Sequence, residues 1–169
     1  IRDQVGQAAL HDDGAEADPT TTSTTSGKAS STTTTLATPT EAPPAEGIED
    51  DPFLLGVASG DPLPTSVILW TRLATDLVDP TGLGGIGEVD HAVLWEVATD
   101  KAFTDIIQEG TEPAAAAFGH SVHADARGLQ PDTWYWYRFR IGDYTSAVGK
   151  TRTTPKADAK VEELRFAFA

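Results

Sequence analysis

The stretch Gly128–Ile141, GLQPDTWYWYRFRI, limits the fold more than any other part of this chain. Turn residues open it. Tyr135, Tyr137, Phe139 and Ile141 then alternate with Trp134, Trp136, Arg138 and Arg140. A two-residue repeat is the mark of a strand with one buried face, whereas a helix would scatter those aromatics around its axis. Leu129, Pro131, Thr133 and Tyr135 also have the spacing of a tyrosine corner, in which a Tyr at the start of a strand hydrogen-bonds to backbone just upstream. An all-β chain built as a sandwich is expected.

The neighbouring segments read the same way. Phe53 to Ala58 is a short apolar run, stopped by the turn residues Ser59-Gly60-Asp61-Pro62. Ser66–Leu73, SVILWTRL, is apolar on both faces and should lie centrally in its sheet. A Gly-rich loop from Asp79 to Glu88 leads to Ala92–Ala98, where Val93, Trp95 and Val97 alternate with other residues. Thr99-Asp100 predicts a capped helical turn over Lys101–Ile107. Ser121–Ala126 alternates again, and after a turn at Asp143 a last strand runs from Ser146 to Thr153, ended by Pro155. Six or seven short strands in roughly 100 residues, with no long helix, is the pattern of a fibronectin type III or Ig-like β-sandwich. Trp70, Trp95, Tyr135, Tyr137 and Phe139 are the expected aromatic core, each contributing roughly 1.5–3 kcal/mol when buried. That core has to suffice, because the chain has no Cys and hence no disulfide.

Outside 51–155 the composition changes. Between Thr20 and Thr40, 15 of 21 residues are Ser or Thr, and Pro39, Pro43 and Pro44 follow. Such a segment cannot bury enough apolar surface to offset its ordering entropy, so residues 1–50 are expected to be a disordered stalk or linker. Residues 156–163 read as a charged linker. Leu164–Ala169, LRFAFA, reads as the first strand of a further domain, cut off before its partners. The net charge is −14 and is shared by the stalk and the rest of the chain. An acidic surface repels phosphate backbones, which argues against nucleic-acid binding. No apolar run approaches the roughly 20 residues of a membrane span.

Chemistry-bearing patterns are few. Gly82, Gly84, Gly85 and Gly87 lack the Gly-Lys-Ser/Thr of a phosphate loop and read as a flexible connection. His120 and His123 are three apart, so on a strand they face opposite ways and read as surface histidines rather than a metal pair. Asp61 reads as a turn residue; a reach into a neighbouring active site is the alternative. The outward row Trp134, Trp136, Arg138 and Arg140 is an apolar patch that a solvated face normally avoids. Either the domain's own loops cover it, with each Arg stacked on a Trp, or it docks another domain, or it meets carbohydrate or lipid.

Several consecutive blocks carry a resemblance: PFLLGVASGDP (Pro52–Pro62), SVILWTRL, LWEVATDKAFTDI (Leu94–Ile106), His120–Pro155 and LRFAFA. Over Phe53–Ala169 they resemble, in order, the N-terminal region of PhoD-like alkaline phosphatases. The resemblance implies a fibronectin-like N-terminal domain followed by a metallophosphoesterase domain that hydrolyses phosphate mono- and diesters. It implies iron, with calcium or another divalent ion, for that catalytic part, and export to the periplasm, cell surface or medium. In the family the strand like LRFAFA runs into a Ser-Cys whose Cys binds iron. This sequence stops short of it, so no catalytic or metal residue is expected in this chain. The expected function is a non-catalytic support domain whose partner is the catalytic domain of the same polypeptide. The rival reading is a stand-alone extracellular binding or adhesion sandwich on a stalk.

Overall fold

The computed structural model describes residues 40–163. The Ser/Thr-rich tract through residue 39 and the strand expected at Leu164–Ala169 lie outside the described residues. Eight strands follow one another: β1 (Val57–Gly60), β2 (Ser66–Arg72), β3 (His91–Ala98), β4 (Ile106–Ala114), β5 (Ser121–Arg127), β6 (Trp134–Ile141), β7 (Tyr144–Thr145) and β8 (Gly149–Arg152). One 3-10 turn, Ala116–Phe118, joins β4 to β5. The strand pairs are antiparallel and form two sheets, one ordered β1-β2-β5 and the other β4-β3-β6, with β7 and β8 both on the far edge of β6.

Period-2 alternation decides what each sheet buries. In β6, Tyr135, Tyr137, Phe139 and Ile141 are buried and the intervening residues are not. In β5 the buried row is Val122, Ala124 and Ala126. In β2 it is Val67, Leu69 and Thr71. These rows join Val93, Trp95 and Val97 of β3 in one core between the sheets. Two glycines make room for its largest rings. A Cβ at Gly149 would come within 2.2 Å of the Tyr137 ring, and one at Gly110 within 2.7 Å of the Trp95 indole. Each ring lies across bare backbone of the adjacent strand, an approach that only glycine allows.

Four details depart from the sequence reading. Trp70 is not in the core: Val67 and Leu69 fix the parity of β2, which turns Trp70 outward, half-buried. No helical turn follows Thr99. The Asp100 carboxylate accepts from the backbone N–H of Ala102, Thr104 and Asp105, as a helix cap would, but Phe103 adopts φ 57° and turns the chain back into β4. The strand expected over Ser146–Thr153 is shorter, forming only β8, and the two-residue β7 lies just before that range. Packed residues also begin before Phe53. Ile48 is buried in the core, Ala45 packs against it, and Pro43 O accepts from Gly142 N at 2.6 Å. Ile48 is a lone apolar residue among acids and prolines, so no periodicity announces its burial.

Candidate functional site

The turn before β6 is built from Gln130, Asp132, Thr133 and Tyr135. The Tyr135 hydroxyl oxygen accepts from Gln130 N–H at 2.8 Å, five residues upstream. Thr133 donates its hydroxyl to Pro131 O at 2.8 Å, and the Thr153 hydroxyl donates to Gln130 O at 2.6 Å. Leu129 is buried beneath the turn. The corner thus ties the start of β6 to the end of β8.

The outward row of β6 continues from that corner. Glu96 of β3 is 0% exposed, and it receives both Arg138 Nε and Arg140 Nη1, the latter at 3.3 Å. The two arginines remain 24% exposed, so water reaches the one positive charge that the single carboxylate leaves over. Arg138 lies 4.0 Å above the Phe103 ring, and Arg140 also donates to Thr40 O. The stacking expected of these arginines on Trp134 and Trp136 comes instead from β8. Lys150 lies 4.5 Å over Trp134 and 5.2 Å over Trp136, and Arg152 lies 5.4 Å from Trp134. Cross-strand register explains the exchange. Trp134 faces Arg152 and Trp136 faces Lys150, and directly opposed residues share a face at close range. Glu96 could have been noticed as the one charged residue in an otherwise apolar strand, but nothing local pairs it with residues 42 and 44 positions away.

A second cluster pins the Gly-rich loop. Arg72 donates to Gly119 O at 2.8 Å and to Gly82 O at 2.7 Å. The Asp79 carboxylate accepts from the Thr81 hydroxyl and from the N–H groups of Thr81 and Gly85. Those bonds, the Thr81 hydroxyl first, hold its pKa down to about 2. His120, expected at the surface, is fully buried. It precedes β5 in the left-handed region, φ 58°, so strand alternation does not govern it. Its Nδ1 is 3.1 Å from Ala114 O and its Nε2 2.9 Å from Gly87 O. The His91 ring lies 5.7 Å away, its Nε2 buried without a partner. Burial, and then the charge of His120, push the His91 pKa below the ordinary histidine range. His123 is exposed on β5, as the sequence reading has it.

Among the described residues no three His, Cys, Asp or Glu side chains gather as a metal site. His120 commits both ring nitrogens to carbonyls. The residues present do not fit an iron-plus-divalent centre. No helix among the described residues is long and apolar enough to cross a membrane. What the arrangement does is hold surfaces rigidly: a carboxylate clamps two arginines, a corner locks β6, and a loop is pinned at three points.

Three strands packed on a sheet built around β3 and β6, with a Tyr bond at the entry to β6, define a fibronectin type III-like β-sandwich. The family model described as "PhoD-like phosphatase, N-terminal domain" matches residues 37–155, and the chain belongs to that family. It is 52% identical over 118 residues to alkaline phosphatase D of Bacillus subtilis (strain 168), a match covering 70% of this chain and 20% of that protein. A solved structure of PhoD superposes with a TM-score of 0.64 at 50% identity, covering 69% of this chain and 22% of that one. The chain therefore spans about a fifth of the length of these relatives.

Proposed function

We propose that this chain is the non-catalytic support domain of an exported PhoD-like alkaline phosphatase/phosphodiesterase. Family membership over residues 37–155 carries the reading. Two further observations support it. The match covers only a fifth of the relative's length, which leaves room for a separate catalytic domain. Glu96, Tyr135 and His120 bond to partners within the sandwich itself. Hydrolysis of phosphate mono- or diesters then belongs to the remainder of the polypeptide, where a metal centre would supply Lewis-acid chemistry. The Ser/Thr/Pro-rich N-terminal tract suits a place outside the cytoplasm.

Docking of that remainder is one of the three readings of the row Trp134, Trp136, Arg138 and Arg140. Arg138 and Arg140 are bound to Glu96, so Trp134, 49% exposed, is the part of this row most open to another body.

Phosphomonoesterase and phosphodiesterase assays on the 169-residue chain, beside the whole gene product, test the reading. Metal-dependent turnover is expected from the whole protein and none above background from the chain alone. Robust turnover by the chain alone overturns it. So does a gene whose reading frame past Ala169 encodes no Ser-Cys and no set of Asp, Asn and His ligands.

A further inference from the structure

Three loop segments meet at the end of the sandwich where β2 finishes and β3 and β5 begin. They are the turn before β1, the connection from β2 to β3 and the 3-10 turn before β5. Hydrogen bonds tie them side by side. Ala74 N donates to Pro52 O at 2.8 Å and Leu73 N to His120 O at 3.1 Å. Ala116 N donates to the Asp90 carboxylate at 2.8 Å, and Arg72 joins the second segment to the third through Gly82 O and Gly119 O. Each segment exposes large apolar side chains: Leu54 and Leu55 in the first, Leu77, Val78 and Val89 in the second, Phe118 in the third. Val78 is 86% exposed and Phe118 76%. Single exposed apolar residues need no explanation, but a concentration of them on adjoining turns marks an interaction site. The same segments are acidic. Residues 46–56, 73–90 and 114–120 hold eight Asp or Glu and no Lys or Arg. Three of those carboxylates keep the apolar turns in shape: Asp51 accepts from Phe53 N, Asp76 from Val78 N and Asp90 from Ala116 N. Turns held in this way lose little freedom when a partner arrives.

We propose that this loop end binds a cationic amphipathic segment of a partner protein, its Lys or Arg against the carboxylates and its apolar side chains against Leu77, Val78 and Phe118. Charge selects that occupant. Eight carboxylates among apolar turns repel an anionic lipid surface or an acidic protein. A small cation answers the charge but leaves the apolar side chains in water. A segment with Lys or Arg on one side and apolar residues on the other answers both, and amphipathic segments are a recurring form of peptide ligand. The exposed Trp134 offers no such match, because Lys150 and Arg152 lie over its ring and repel a cationic ligand.

The probe is a synthetic amphipathic helical peptide of Lys and Leu, titrated into the isotope-labelled 169-residue chain and, by calorimetry, into the whole gene product. Amide shifts should move at residues 53–55, 76–79, 86–90 and 116–119 and stay in place along β6 and β8. Phe118→Ser combined with Val78→Ser, both at exposed positions, should weaken binding about tenfold or more, and so should Glu88→Lys combined with Asp50→Lys. A peptide of equal charge with Ser in place of every Leu should lose as much, and one with Glu in place of every Lys should not bind. Circular dichroism and a cooperative melt confirm that each variant is folded. The proposal is overturned if the Lys/Leu peptide fails to bind the chain or the whole gene product. Shifts centred on Trp134 and β8 overturn it too, as does full binding by the peptide that lacks Leu, which would reduce the effect to charge alone. Sedimentation of the chain with phosphatidylcholine vesicles, lost in the Phe118→Ser and Val78→Ser variant while the peptide binds weakly or not at all, would give the surface to lipid instead.

Discussion

The two sheets of this sandwich solve the same problem differently. Each buries its inner row in the shared core, and each carries a Trp on the opposite face. On the β4-β3-β6-β8 sheet charged side chains of its own strands lie against that outer face, although Trp134 stays 49% exposed. Glu96 sits beneath Arg138 and Arg140, Phe103 packs on Arg138, and Lys150 and Arg152 lie over the tryptophans. On the β1-β2-β5 sheet Trp70 and Ile68 have small or polar neighbours and no such lid. Alternation alone makes both outer rows look alike. What separates them is the residue set opposite each Trp: Arg152 and Lys150 stand across from Trp134 and Trp136, whereas Ala58 and His123 stand across from Trp70.

The strongest way to break this contrast is to strip the lid while leaving the buried carboxylate. Replacing Arg138 and Arg140 together by Leu strands Glu96 without a partner. We expect a loss of about 3–5 kcal/mol in urea unfolding, since an unpaired buried charge is costly. Adding Glu96→Leu to that pair should recover much of it. An unchanged midpoint in the double variant would show that the clamp is not what closes this face. Trp95→Ala, in the core against Gly110, should cost about 3 kcal/mol by the same measurement.

Tyr135→Phe removes only the hydroxyl that receives Gln130 N–H, and about 1 kcal/mol should go with it. The pH dependence sharpens the comparison at the loop end of the sandwich. His91 has its pKa depressed in the fold, so as pH falls below 6.5 the unfolded chain takes up that proton first. Stability should therefore decline on acidification through that range and be fully present above it. His91→Leu should flatten this limb, and a flat wild-type profile between neutral pH and the carboxylate range would contradict the assignment. Least affected of all should be Trp70→Ser in the 169-residue chain, below about 1 kcal/mol, because its ring lies half-buried outside the core. A loss as large as that of Trp95→Ala would mean that Trp70 is in the core after all.

Much of this was legible in the residues. WYWYRFRI declares its own buried row, because parity along a strand is a property of the strand alone. The corner spacing around Tyr135 and the collinear blocks from Phe53 onward were equally local and pointed to the same sandwich and the same family. Tertiary structure alone decided what the opposite faces meet. Glu96 finds its arginines 42 and 44 residues away, His120 is folded under a loop by one left-handed residue, and Ile48 is buried without any periodicity around it. Burial of an outward side chain depends on which distant strand or loop lies over it, and that information resides in the packing rather than in any window of sequence.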